Sequence, residues 1–168
     1  MTRRPQMYLV LRNGSTGEAY ASYPVEPGDH FAIGFLHSVH KNPLVDLYEI
    51  AEDGTIYAEE TIYYSFGAGV QTDLNPGEVM SFGEDGAIIV SNIHKPFQKL
   101  TYCVGTVSDH TLVMGDMMPI YYDQVKQKIG IFTEDKEALL EGGVRVISLS
   151  NLCGRNSIVS FCCEERLF

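Results

Sequence analysis

His30, His37, His40, His94 and His110 are the five side chains whose ordinary ionisation falls near neutral pH, and imidazole chemistry is the first to look for here. His30 and His94 stand beside turn residues, and His40 falls in the run His40-Lys41-Asn42-Pro43, so these three read as surface groups. His37 differs because Phe35 and Val39 share its face of an alternating stretch. A histidine among apolar neighbours is either a satisfied core residue or a ligand-binding group, and both readings stay open. If the turn centres between Lys41 and Asn42, Val39 faces Leu44, His37 faces Asp46, Phe35 faces Tyr48 and Ile33 faces Ile50. Asp46 would then orient His37 and favour its protonated form, leaving an imidazole that accepts a ligand carboxylate, donates to Ser65 or binds a metal. Ser65 opens the string Ser65-Phe66-Gly67-Ala68-Gly69. Gly67 and Gly69 there could leave backbone N–H groups for an anion, or simply make a tight bend at a sheet corner. The dispersed set His37, Asp46 and His110 is the alternative metal or catalytic constellation.

Other chemistries find less support. Gly-x-Ser-x-Gly is absent, and Ser38 points to the opposite face from its neighbour His37, so the two cannot act directly as nucleophile and base. Nucleotide-binding glycine motifs and His-Glu-x-x-His are missing, so no cofactor is expected. Asp73, Asn75 and Glu78 fall short of a calcium-loop pattern and read as a solvated turn. Cys103, Cys153, Cys162 and Cys163 contain no Cys-x-x-Cys pair. They read as small buried apolar residues, or, in an oxidising compartment, Cys153 and Cys162 pair across a hairpin at Gly154-Arg155-Asn156.

The elements that must carry these groups are strands. Phe31 to Val39, Leu44 to Ile50 and Thr55 to Tyr64, joined by the proline turn and by Asp53-Gly54, form a three-stranded meander. Before it, Met7 to Arg12 and Glu18 to Val25 make a first pair. After it, strands are expected at Glu78 to Phe82, Ala87 to Ile93, Leu100 to Val107, Thr111 to Met114, Ile129 to Phe132, Val144 to Leu149 and Ile158 to Cys163. Glu134 to Leu140 reads as the one short helix, capped by Thr133 and stopped by Gly142-Gly143, with a further helical turn at Pro119 to Val125. About a dozen short strands at turn-separated spacing predict an all-β fold, an antiparallel sandwich or partly closed barrel. With 168 residues and no dividing linker, a single domain is expected.

The central strings are distinctive. His37-Ser38-Val39, a short turn with Pro43, Asp46, Tyr48 and then the Ser65 to Gly69 loop resemble the small uncharacterised domain family encoded beside TAXI-type TRAP transporter genes in bacteria and archaea. Gly17-Glu18, Pro27-Gly28-Asp29, Ser91-Asn92-Ile93 and His110-Thr111-Leu112 extend the likeness over residues 8–125, whereas 126–168 match nothing in that pattern. His40 stands where the family usually has Glu, Asn42 where Thr is common and Asp46 where Glu is the norm. The resemblance implies a non-catalytic accessory or binding module whose partner is a transporter component or a small organic-acid solute. It also implies an extracytoplasmic or membrane-associated location.

Composition bounds these readings. The formal charge is −10, from 22 acids against 12 bases, which repels nucleic acid and anionic membranes and leaves cationic partners or metal ions open. No apolar run approaches the roughly 18 to 20 residues of a membrane span. Met7 to Leu11, after Arg3 and Arg4, is shorter than the roughly 7 to 15 residues of a signal peptide's apolar region.

Overall fold

Alternation of apolar and polar residues becomes two antiparallel sheets in the computed structural model, which describes residues 5–37, 42–64, 74–83, 87–115 and 122–167. The smaller sheet holds β1 (Pro5–Asn13), β2 (Ala19–Val25), β9 (Leu100–Cys103) and β13 (Ile158–Leu167), in the order β2-β1-β13-β9. The larger sheet contains β3 (His30–Leu36), β4 (Pro43–Ile50), β5 (Ile56–Tyr63), β6 (Val79–Phe82), β7 (Ile88–Ser91), β8 (Lys95–Phe97), β10 (Thr111–Met114), β11 (Glu137–Leu139) and β12 (Arg145–Ser148). Its order is β11-β12-β10-β3-β4-β5-β7-β6, with β8 pairing β5. The all-β expectation holds: the arrangement is a sandwich, not a closed barrel. Leu9, Leu11 and Phe161 of the smaller sheet meet Phe31, Ile33, Tyr48 and Leu112 of the larger one in a core between the two. That core is what period-two strands achieve when each sheet turns its apolar face inward. Phe31 stacks on Tyr48 at 5.1 Å between centroids and on Phe161 at 6.2 Å, so aromatic rings cross the interface.

A second, smaller core lies on the other face of the larger sheet. Ala32, Val45, Val113 and Val144 project there and are covered by Val125 and Ile129, from the short helix α1 (Tyr122–Lys126) and the turn after it. A second short helix, α2 (Leu149–Cys153), starts at Ser148, whose side chain accepts from the Asn151 N–H. Among the described residues no helix is long and apolar enough to cross a membrane.

Three expectations fail. Glu134 to Leu140 is not a helix; its second half is the edge strand β11, paired with β12. The sheet competes successfully because Asn151 Nδ2 donates to the Thr133 and Asp135 carbonyls and the Ser148 N–H to that of Lys136, removing acceptors a helix needs. Ile129 to Phe132 is not a strand: Gly130 takes φ +75° and turns the chain onto Leu36. The Cys153–Cys162 pairing is overturned as well. Cys153 belongs to α2 and packs with Cys163 against the central core, while Cys162 points to the other side of β13, beside Glu164. All four cysteines are free. Burial pushes the Cys153 and Cys163 thiols up to about 12. Titration of the folded protein with a thiol-specific chromophore should therefore label exposed Cys103 first and Cys153 and Cys163 last. Denaturation should release four thiols, and a count of two would contradict the structure.

Candidate functional site

The β3–β4 hairpin decides what Asp46 meets. Phe31 pairs with Tyr48, Ile33 with Asp46 and Phe35 with Leu44, and the His37 N–H closes on the Asn42 carbonyl at 2.9 Å. His37 and Asp46 are therefore not cross-strand partners. The register differs from the expected one by an even number of residues, so every side chain keeps its face while its partner changes. Residues 38–41, which make the turn and include His40, lie outside the described residues, as do Ser65, Gly67 and Gly69.

Asp46 does face inward, but toward the opposite sheet. Tyr102 of β9 donates its hydroxyl to Asp46 Oδ2 at 2.8 Å, and Thr61, directly opposite on β5, donates to Oδ1 at 2.9 Å. The hydroxyls of Tyr48 and Tyr102 share a short hydrogen bond. Since Tyr102 gives its proton to the carboxylate, Tyr48 must be the donor to Tyr102. The result is a relay of donors, Tyr48 to Tyr102 to Asp46, clipping the two sheets together. Burial raises the Asp46 pKa, and the hydrogen bonds from Tyr102 and Thr61 pull it back. Burial and the neighbouring carboxylate also raise the phenols of Tyr48 and Tyr102, so both stay protonated as donors. Tyr102 was not singled out from the sequence. Its alternation with Leu100 and Val104 was the available signal, since all three turn toward the core.

His110 stands on the far side of Tyr102. Its ring stacks on Phe35 at 4.7 Å and meets Tyr102 edge-on at 5.9 Å. The Gly105 N–H donates to its Nδ1 at 3.0 Å, so the neutral ring carries its proton on Nε2, for which the described residues provide no acceptor. Burial lowers the His110 pKa; the neighbouring Asp109 carboxylate opposes that shift and does not overcome it. Asp109 itself is fully buried and turned away, receiving the Ser148 hydroxyl and the Ser150 N–H.

His110 opens onto a cavity of about 370 Å³. Phe35, Leu36 and His37 form one wall, Gly105 to Ser108 a second, and Gly130 to Phe132 a third. Two of the sequence-derived candidates, His37 and His110, thus converge on one chamber. Asp46 stays behind it, connected through Tyr102. Ser108 on the wall is occupied structurally: its Oγ accepts from the Leu36 N–H at 2.9 Å and lies within donating distance of the Asp109 and Gly130 carbonyls. It is not held as a nucleophile for His110. Among the described residues no group of three His, Cys, Asp or Glu is placed to hold a metal, so His37, Asp46 and His110 do not form one ligand set.

A family model described as Domain of unknown function (DUF1850) matches residues 31–119, more than half of the chain. The chain belongs to the DUF1850 family. The matched segment carries Asp46, Tyr48, Thr61, Tyr102 and His110, so the intersheet relay and two walls of the chamber lie within the DUF1850 region. The third wall, Gly130 to Phe132, comes from beyond it. No curated protein and no solved structure shows significant similarity to the chain.

Proposed function

We propose that this DUF1850 protein is a non-catalytic binding module, an accessory to a TRAP-type TAXI solute transporter, and that the chamber at His110 is where its ligand sits. The observation that carries the reading is the state of His110. Its ring is clamped between Phe35 and Tyr102, its Nδ1 is satisfied by Gly105, its remaining N–H has no acceptor among the described residues, and the residue lines a preformed, mostly apolar space. Convergence of a few fixed polar groups in an apolar concavity is the usual form of a small-ligand site. A general base would instead need a nucleophile or substrate proton within reach, and the Ser108 hydroxyl is already spoken for by the backbone. Asp46 serves the scaffold in this reading, joining the sheets that hold the chamber. The transporter context rests on the resemblance of the His37 to Gly69 strings, and with it go an extracytoplasmic or membrane-associated location and a partner that is a transporter component or its solute.

Uptake measurements test this in a strain whose copy of the gene is deleted. Radiolabelled solute uptake through the adjacent transporter should fall severalfold and return with the wild-type gene. Val107→Trp, which changes an exposed residue at the chamber wall, should not restore it although the protein accumulates normally. Unchanged uptake in the deletion strain, or full rescue by Val107→Trp, would overturn the reading.

A further inference from the structure

We propose that the chamber binds a small monocarboxylate with an apolar body, its carboxylate accepting the Nε2–H of His110 and its body lying against Phe35, Ile131 and Phe132. The proposal rests on the chamber being a ligand site, as argued above, and adds the chemistry it selects. Three observations lead to it. The chamber wall sets imidazole and hydroxyl groups among mostly apolar side chains and contains no Asp or Glu among its described residues, although the chain carries 22 acids. The neighbouring carboxylate, Asp109, is fully buried, receives the Ser148 hydroxyl and the Ser150 N–H in the interior, and is not part of the chamber wall. Finally, the guanidinium of Arg155 lies 3.7 Å from the centroid of the Phe132 ring, placing a permanent positive charge beside a lining residue.

Together with the His110 Nε2–H and the apolar wall, these observations remove three ligand classes. A cation would find no carboxylate among the described wall residues to balance it, and a guanidinium beside Phe132 to repel it. A neutral apolar molecule would leave the His110 Nε2–H buried without an acceptor, a loss that polar sites avoid. A dicarboxylate or a sugar acid would bring a second polar end into a wall that Phe35, Leu36, Val107, Ile131 and Phe132 make mostly apolar, and would set much of that end against those side chains. What fits is one acceptor head and one apolar tail. The volume, about 370 Å³, lies at the small end of ligand sites, which are typically about 300 to 1,000 Å³.

Calorimetric titration of the purified full chain at pH 7 with hexanoate, benzoate, hexanamide and succinate separates these classes. Hexanoate and benzoate should bind, each about tenfold or more tighter than hexanamide and succinate, the margin between a charge-assisted and a neutral hydrogen bond. His110→Asn retains an acceptor where Nδ1 receives the Gly105 N–H but removes the Nε2–H. It should keep its thermal transition and bind hexanoate no better than hexanamide. Equal affinity of wild-type protein for hexanoate and hexanamide would overturn the proposal, and that comparison needs no variant. So would succinate binding as tightly as hexanoate, no binding of either monocarboxylate, or a folded His110→Asn that still prefers the acid. If Val107→Trp fails to restore uptake while no monocarboxylate binds, the chamber remains a ligand site and only the carboxylate assignment falls.

Discussion

Tyr102→Phe is expected to lower the free energy of unfolding by about 2 to 3 kcal/mol, a large effect for the loss of one oxygen atom. That oxygen has two tasks. It donates to Asp46 and accepts from Tyr48, so its removal leaves a half-buried carboxylate with Thr61 alone and the Tyr48 hydroxyl without its acceptor. The ring itself, edge-on to Phe161 at 6.1 Å and to His110, is retained in phenylalanine, so packing should change little. Urea unfolding measures the loss, and a cost below about 0.5 kcal/mol, typical of an unremarkable surface change, would show that the relay does not join the sheets. Asp46→Ala should be similarly costly because two hydroxyls then lose their acceptor.

Asp46→Asn should behave differently, and pH decides how. The Asp46 pKa is raised in the folded protein above its unfolded value near 4, so the native state favours the protonated carboxyl. The corresponding stability is fully present below the unfolded value and is lost as pH rises through the folded one. Asparagine mimics the protonated form at every pH. Wild type should therefore lose stability relative to Asp46→Asn as pH rises from about 4 and run parallel to it above the folded pKa. A disadvantage of the asparagine variant that grows over the same interval would mean that the hydrogen bonds, not burial, dominate at Asp46.

The parts of this molecule that were legible in its sequence are those governed by period two. Phe31, Ile33, Tyr48 and Ile50 alternate with polar or small neighbours, and this assigns Asp46 to the inward face whichever residue it meets. The partner was not legible, because registers that differ by an even step bury the same side chains and only the turn length distinguishes them. The true partner, Tyr102, lies 56 residues further along the chain and in the other sheet, where no local pattern points back to Asp46. His110 could be marked as a candidate by type, but its tautomer depends on the Gly105 N–H and its cavity on a segment that reads as an ordinary strand, Ile129 to Phe132. The helix expected at Glu134 to Leu140 shows the same limit. Its cap and stop signals are real local preferences, and side-chain and strand hydrogen bonds from Asn151 and Ser148 outweigh them.

Gly130→Ala should produce the other large effect and should couple stability to the site. Gly130 adopts φ +75°, where an L side chain costs about 1 to 2 kcal/mol, and a Cβ built there would lie 2.6 Å from Leu36 Cγ, 2.8 Å from the Leu36 backbone nitrogen and 2.8 Å from Ser108 Oγ. Two of these atoms belong to one hydrogen bond, the Leu36 N–H to Ser108 Oγ, and neither can withdraw without breaking it. Gly130 is also tied at both its own polar groups: its N–H donates to Thr111 Oγ1 at 3.0 Å and its carbonyl accepts from the Asp109 N–H at 3.0 Å. The chain cannot simply drift outward. Strain and overlap together should cost about 3 kcal/mol or more. Gly17→Ala is the matched control, since Gly17 has φ +79° with nothing within 4 Å of a Cβ, and it should show only the conformational part of the cost. The difference between the two variants in urea unfolding isolates the overlap, and equal losses would refute it. Where Gly130→Ala still folds, Leu36, Ser108 and Gly130 must shift together, and all three line the chamber beside His110. Hexanoate affinity should then fall in Gly130→Ala and stay unchanged in Gly17→Ala, because only the first strain is discharged into the wall of the site.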